Sequence, residues 1–138
     1  IAAKQLDSGI MALRQLFFAT LDLAYHSPGF DGDTTSTLEA LHGITGFPYT
    51  PGTHFQSGFG HLFGYDAGYY GYLWSQVFGD DMYTKFEATS PMDTETGLHY
   101  RKTILERGGT VDGDQLVRDF LGREPNSEAF LRGLGLEV

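Results

Sequence analysis

The stretch GYDAGYYGYLW, residues 64–74, combines three glycines with four tyrosines and then runs into an apolar segment. The spacing of apolar residues from Asp66 to about Phe86 predicts a helix. Gly68 and Gly71 would each cost that helix roughly 1 kcal/mol relative to alanine, so they need a packing or functional reason. We therefore expect a loop rich in glycine and tyrosine that leads into a helix.

The rest of the chain also predicts helices, and no strand pattern is present. Two helices are expected over residues 1–26 and 93–106. Three shorter helices should follow capping residues: one from Thr34, Thr35 or Ser36 through Ile44, one from Asp112 or Asp114 to Leu121, and one after Ser127. The first helix should stop at His26, because a proline and a glycine follow Ser27. The predicted fold is an all-α, irregular helical domain that no linker divides.

Composition excludes several classes of protein. The chain has 138 residues, nine basic against eighteen acidic side chains and a net charge of −9, which argues against binding nucleic acid or an anionic membrane. The absence of cysteine excludes disulfides, a thiol nucleophile and a cysteine-ligated zinc site. No apolar run approaches the roughly 18 residues of a membrane span.

The tyrosines are the candidate site. On a continuous helix, Tyr65, Tyr69 and Tyr72 would share one face, with His61 close to it and Tyr70 on another side. Phenol hydroxyls are neutral hydrogen-bond donors, suited to a peptide backbone or a developing oxyanion. An aromatic stripe at this spacing is also typical of a core, although a buried hydroxyl would then need a partner. Both interpretations stay open on the residues alone.

The positions of the charged residues and histidines limit which ligands this part of the chain could bind. No lysine or arginine lies between Arg14 and Lys85, whereas seven acidic residues do, so a site there would bind neutral peptide or sugar groups. None of the five histidines forms a His-Glu-x-x-His motif, so we expect no metal site from this chain alone.

Several motifs in order resemble the thimet oligopeptidase/neurolysin family of zinc metallopeptidases, with its oligopeptidase A and mitochondrial intermediate peptidase relatives. FGHL (residues 59–62) and residues 64–74 are similar to the family's substrate-binding segment. LRQ (13–15) resembles the helix upstream of that segment, and FLGR (120–123) and GLEV (135–138) resemble the C-terminal tail. The connection from His61 to Tyr65 is one residue shorter than in several thimet-type members, which leaves the subfamily open.

The resemblance implies that residues 1–138 are the C-terminal segment of a peptidase catalytic domain, without its zinc-binding helix. Tyr72 would donate a hydrogen bond to the oxyanion of the tetrahedral intermediate, and His61 and Tyr69 would position the substrate backbone. Tyr65 would help to set which residues are preferred. The full-length parent would be a zinc metalloendopeptidase that hydrolyses internal bonds of short peptides, whereas this chain alone should bind no zinc and be inactive.

The expected partners are short peptides and the rest of the peptidase chain, with no nucleic acid and no membrane. We also expect self-association of the isolated chain. The expected location is cytoplasmic, with the mitochondrion as the alternative. A stand-alone, non-catalytic helical peptide-binding module is the alternative function, and a purely structural helical domain is disfavoured by the glycine–tyrosine pattern.

Overall fold

The computed structural model describes residues 6–137, and every regular element within that range is a helix, which confirms the all-α prediction. The α-helices are α1 (Ser8–His26), α2 (Thr34–His42), α3 (Gly71–Glu87), α4 (Thr94–Tyr100), α5 (Gly113–Leu121) and α6 (Glu128–Gly133). Four 3₁₀ turns (Gly43–Thr45, Phe55–Gly58, Gly60–Leu62, Gly108–Thr110) and one π-helix (Arg101–Leu105) lie between them. The predicted helix over 1–26 therefore holds from Ser8, and its first five residues lie outside the described range.

The chain divides into two compact units, Ile1–Leu73 and Trp74–Val138. The core of the first unit is the apolar face of α1 packed against α2. It contains Phe17, Phe18, Leu21, Tyr25 and Leu38. These α1 positions recur at three- and four-residue steps, so they lie on one side of the helix.

Tyr25 closes this core at its polar edge. Its hydroxyl donates a hydrogen bond to the Thr34 carbonyl at 2.7 Å. Burial, with a smaller contribution from the negative charge of Asp33, raises the pKa of Tyr25 to about 12. The helix itself ends at His26 as predicted, because Ser27 adopts the extended conformation that a following proline favours.

The N-terminus of α2 differs from its prediction. Asp33 is the N-cap, rather than Thr34, Thr35 or Ser36, and its carboxylate accepts hydrogen bonds from the amides of Thr35 and Ser36 at 3.0 and 2.9 Å. The bond from Ser36 is the main reason that the pKa of Asp33 lies below its ordinary value. A carboxylate one residue upstream reaches both free amides, so the helix begins earlier than the hydroxyl residues alone indicated.

The segment before α3 is a loop, as predicted, but it is longer than expected. Helix α3 begins at Gly71 and not at Asp66. Ala67 explains the difference, because it lies inside the predicted helix and has a φ angle of 55°, and Gly64 just before that stretch is also positive at 109°. Such positive angles cannot occur inside a right-handed helix.

The second unit has its own core. Val117, Phe120 and Leu121 of α5 are buried, and side chains from α3, α4 and the π-helix pack against them: Phe78, Met82, Phe86, Tyr100 and Ile104. The predicted helix over 93–106 is observed as α4 followed directly by the π-helix. Within residues 6–137, no helix has both the length and the apolar character needed to cross a membrane.

Candidate functional site

Four aromatic side chains meet in the first unit. The ring of His61 lies 4.9 Å from Tyr69, 5.4 Å from Tyr65 and 5.8 Å from Tyr72, measured between ring centroids. Tyr69 and Tyr72 are 5.0 Å apart by the same measure. We call these four residues the His–Tyr cluster. All four residues singled out from the sequence thus lie together, whereas Tyr70 has no ring contact with them among the described residues.

A single helical face does not produce this cluster, so that part of the prediction was wrong. His61 lies in a 3₁₀ turn, Tyr65 and Tyr69 lie in non-helical turns, and only Tyr72 belongs to α3. The tight turn over residues 65–68 is closed by a hydrogen bond from the Gly68 amide to the Tyr65 carbonyl, at 3.1 Å. A Cβ atom at Gly68 would meet that carbonyl oxygen at 3.0 Å, so a larger residue here would require the turn to shift by a few tenths of an ångström.

Asp22 of α1 holds the backbone of the loop before α3, residues 64–70, which carries Tyr65 and Tyr69 and which we call the tyrosine loop. The Asp22 side chain is fully buried. One carboxylate oxygen accepts a hydrogen bond from the Ala67 amide at 3.0 Å, and the other accepts one from the Tyr69 amide at 2.9 Å. The Nδ1 atom of His26 lies 3.1 Å from the first of these oxygens.

No sequence pattern assigned Asp22 a role in the site. The available signal was an acid in the middle of an apolar helical stripe, four residues after Phe18 and three before Tyr25. A charged group on the buried face of a helix requires hydrogen-bonding partners from elsewhere in the chain.

The hydroxyls of the cluster differ in their surroundings. Tyr65 and Tyr72 are largely exposed, at 73% and 60% of their surface. Tyr69 is half-buried, and this burial raises its pKa, with the nearby Gln15 side chain opposing the shift. The ring of His61 stacks on Phe59, and its Nδ1 atom is buried without a hydrogen-bond partner among the described residues. The cluster therefore offers accessible, neutral O–H donors beside an imidazole held by aromatic contacts.

The described residues do not fit a zinc site. Within residues 6–137, no group of three histidine, aspartate or glutamate side chains lies close enough to hold a metal ion.

Comparison with known proteins defines the class of protein. The model of peptidase family M3 matches residues 1–136. The chain is 39% identical over 145 residues to saccharolysin of Saccharomyces cerevisiae and 38% identical over 141 residues to thimet-like oligopeptidase of Dictyostelium discoideum. Both alignments cover 99% of this chain, but only 20% and 21% of the relatives. The chain therefore belongs to peptidase family M3, which confirms the resemblance at the level of the family.

A third relative, mitochondrial intermediate peptidase of Schizophyllum commune, is 42% identical over 113 residues, which are 78% of this chain and 14% of the relative. The chain thus spans about a fifth or less of the length of these curated relatives.

Proposed function

We propose that this chain is the C-terminal segment of the catalytic domain of a zinc-dependent oligopeptidase, which hydrolyses internal bonds of short peptides. Family membership and the oligopeptidase names of the relatives support the activity. The C-terminal position rests on the resemblance of residues 120–123 to the family's tail. The zinc ligands and the general base would come from the parent chain upstream of this segment.

The gathering of His61 and three tyrosines in one place, with two exposed phenols, is the observation that carries this proposal. We assign to Tyr72 the hydrogen bond to the oxyanion that forms when a peptide carbonyl becomes tetrahedral. It is exposed enough to meet substrate, and its backbone is fixed by the first turn of α3. A donor fixed before the reaction stabilises developing charge without reorganising.

The remaining members of the cluster bind the peptide. His61 and Tyr69 are in direct ring contact and less exposed, so they present a fixed surface for the substrate backbone. Tyr65 is the most exposed of the four, and it contacts the side chains of the substrate and so affects which residues are preferred. The proposed partners are short peptides and the rest of the peptidase chain, in the cytoplasm or the mitochondrion.

The direct kinetic test is Tyr72→Phe in the full-length parent. If the hydroxyl meets the oxyanion only in the transition state, kcat should fall about a hundredfold or more while KM stays nearly unchanged. Tyr65→Phe should instead change KM in a way that depends on the peptide. Steady-state kinetics with several short peptides measures both effects.

Tyr70→Phe is the matched control, because it removes the same hydroxyl from a half-exposed tyrosine outside the cluster. Equally small changes of kcat and KM in the phenylalanine variants of Tyr65, Tyr70 and Tyr72 would contradict the proposal. They would indicate that the tyrosine rings serve only in packing. A parent reading frame without a His-Glu-x-x-His motif before Ile1 would favour the alternative, a stand-alone peptide-binding module.

A further inference from the structure

We propose that Asp22 is the positioning residue of the tyrosine loop, an inference that rests on the proposed function. Asp22 is fully buried, so its carboxylate cannot touch a peptide bound at the exposed side of the cluster. Both of its oxygens are instead engaged by the loop backbone, at the amides of Ala67 and Tyr69. Asp22 would therefore act through the loop and not on the substrate.

The two bonds fix the loop at the point where its conformation is least favourable. Ala67 has a φ angle of 55°, in the left-handed region that residues other than glycine rarely adopt. Two amide hydrogen bonds to one buried side chain can hold this conformation, because an amide left without its partner there would cost free energy. One side chain of α1 therefore adds two long-range bonds to the turn hydrogen bonds within the loop.

The position of the whole cluster follows from these bonds. The Tyr69 amide is bound to Asp22, and the Tyr69 ring contacts both His61 and Tyr72. The Tyr69 carbonyl also accepts a hydrogen bond from the Tyr72 amide at 3.2 Å, which links the loop to the start of α3. Release of the Tyr69 amide would thus displace the ring contacts and the first turn that together place the Tyr72 hydroxyl.

Asp22→Asn tests the inference with little change in shape. The asparagine NH₂ group would replace one accepting oxygen, so one of the two amides would lose its partner. In the complete protein that contains this chain, hydrogen exchange should accelerate about tenfold or more at whichever of the Ala67 and Tyr69 amides faces the new NH₂ group. The amide of Val117 in α5 should exchange as before, which separates loop release from global unfolding.

Asp31→Asn is the control variant. Its carboxylate also accepts a backbone amide bond, from Asp33 at 2.9 Å, but in an exposed turn away from the tyrosine loop. Asp31→Asn should leave exchange at Ala67 and Tyr69 unchanged. Unchanged exchange at these two amides in Asp22→Asn as well would overturn the inference.

A double-mutant cycle on kcat distinguishes positioning of Tyr72 from a general structural role of Asp22. Asp22→Asn should lower kcat about tenfold or more in the wild-type background, but much less in the Tyr72→Phe background, because the group it positions is already gone. Equal losses in both backgrounds would contradict positioning of Tyr72 by Asp22. Faster exchange of the loop with an unchanged kcat would leave the anchoring by Asp22 intact and contradict the proposed function instead.

Discussion

Asp81 in the second unit is a buried acid that is fully engaged by partners. Its carboxylate accepts hydrogen bonds from the Arg123 guanidinium and from the Asn126 amide, the latter at 2.9 Å. Burial alone would raise the pKa of Asp81, but these bonds and the charges of Arg123 and Arg132 hold that pKa below its ordinary value. Asp81 therefore links α3 to the segment between α5 and α6.

The lowered pKa of Asp81 predicts how stability depends on pH. Because the pKa is lower in the folded than in the unfolded state, ionised Asp81 stabilises the fold above its unfolded pKa, and this contribution is lost as pH falls through the folded pKa. Asp81→Asn should lower the free energy of unfolding at pH 7 by about 2 kcal/mol and weaken its decline below about pH 4. Urea titrations at several pH values measure both.

The neighbouring Asp80→Asn is the control for this variant, because Asp80 forms no side-chain hydrogen bond or ion pair within residues 6–137. It should leave the pH profile close to that of the wild type. If the free energy of unfolding of Asp81→Asn falls with decreasing pH as steeply as that of the wild type, the ionised Asp81 side chain does not stabilise the fold.

Sequence patterns predicted those helix ends that depend on one or two neighbouring residues. The stop of α1 before Pro28 and the end of α5 at Gly122 follow from backbone restrictions that are visible in single residues. The start of α3 did not follow in this way. Apolar spacing through residues 66–70 suits a helix, but the loop is held by Asp22, which is more than forty residues away in the sequence.

For the candidate site, too, local features were predictable from the sequence and long-range contacts were not. Its residue types and their closeness were predictable from the run of tyrosines, whereas the geometry that joins them was not. The contacts of His61 arise from tight turns and a long-range carboxylate anchor, and such tertiary contacts have no periodic signature along the chain.

Two glycines of the second unit should respond to alanine with opposite signs. Gly122 has a φ of 71° at the end of α5, so Gly122→Ala should lower the free energy of unfolding by about 1 kcal/mol. Gly79 lies inside α3, and a Cβ there would meet no atom within 4 Å. Gly79→Ala should therefore raise the free energy of unfolding by about 0.5–1 kcal/mol. Thermal or urea unfolding measures both changes. Changes of the same sign in the free energy of unfolding would contradict these helix boundaries.

At the scale of the whole molecule, apolar surface remains uncovered along α1. The preceding turn and this helix expose large apolar side chains, which are Leu6, Ile10, Met11, Leu13, Leu16 and Leu23. A continuous exposed patch of more than a few hundred Å² favours association. We expect the 138-residue chain by itself to form dimers or larger species, and Leu16→Glu to shift it toward monomer. Sedimentation at low micromolar concentration measures this, and a single monomeric species for the unmodified chain would contradict it.

We propose above that Tyr72 stabilises the tetrahedral oxyanion of a peptide bond under attack. The most direct measurement compares the affinity of the full-length parent and its Tyr72→Phe variant for a peptide whose scissile amide is replaced by a tetrahedral, anionic phosphinate. The phosphinic peptide should bind about a hundredfold more weakly to the variant, while the KM for the matching substrate stays nearly the same. Equal affinity of both enzymes for the phosphinic peptide would contradict this role of Tyr72.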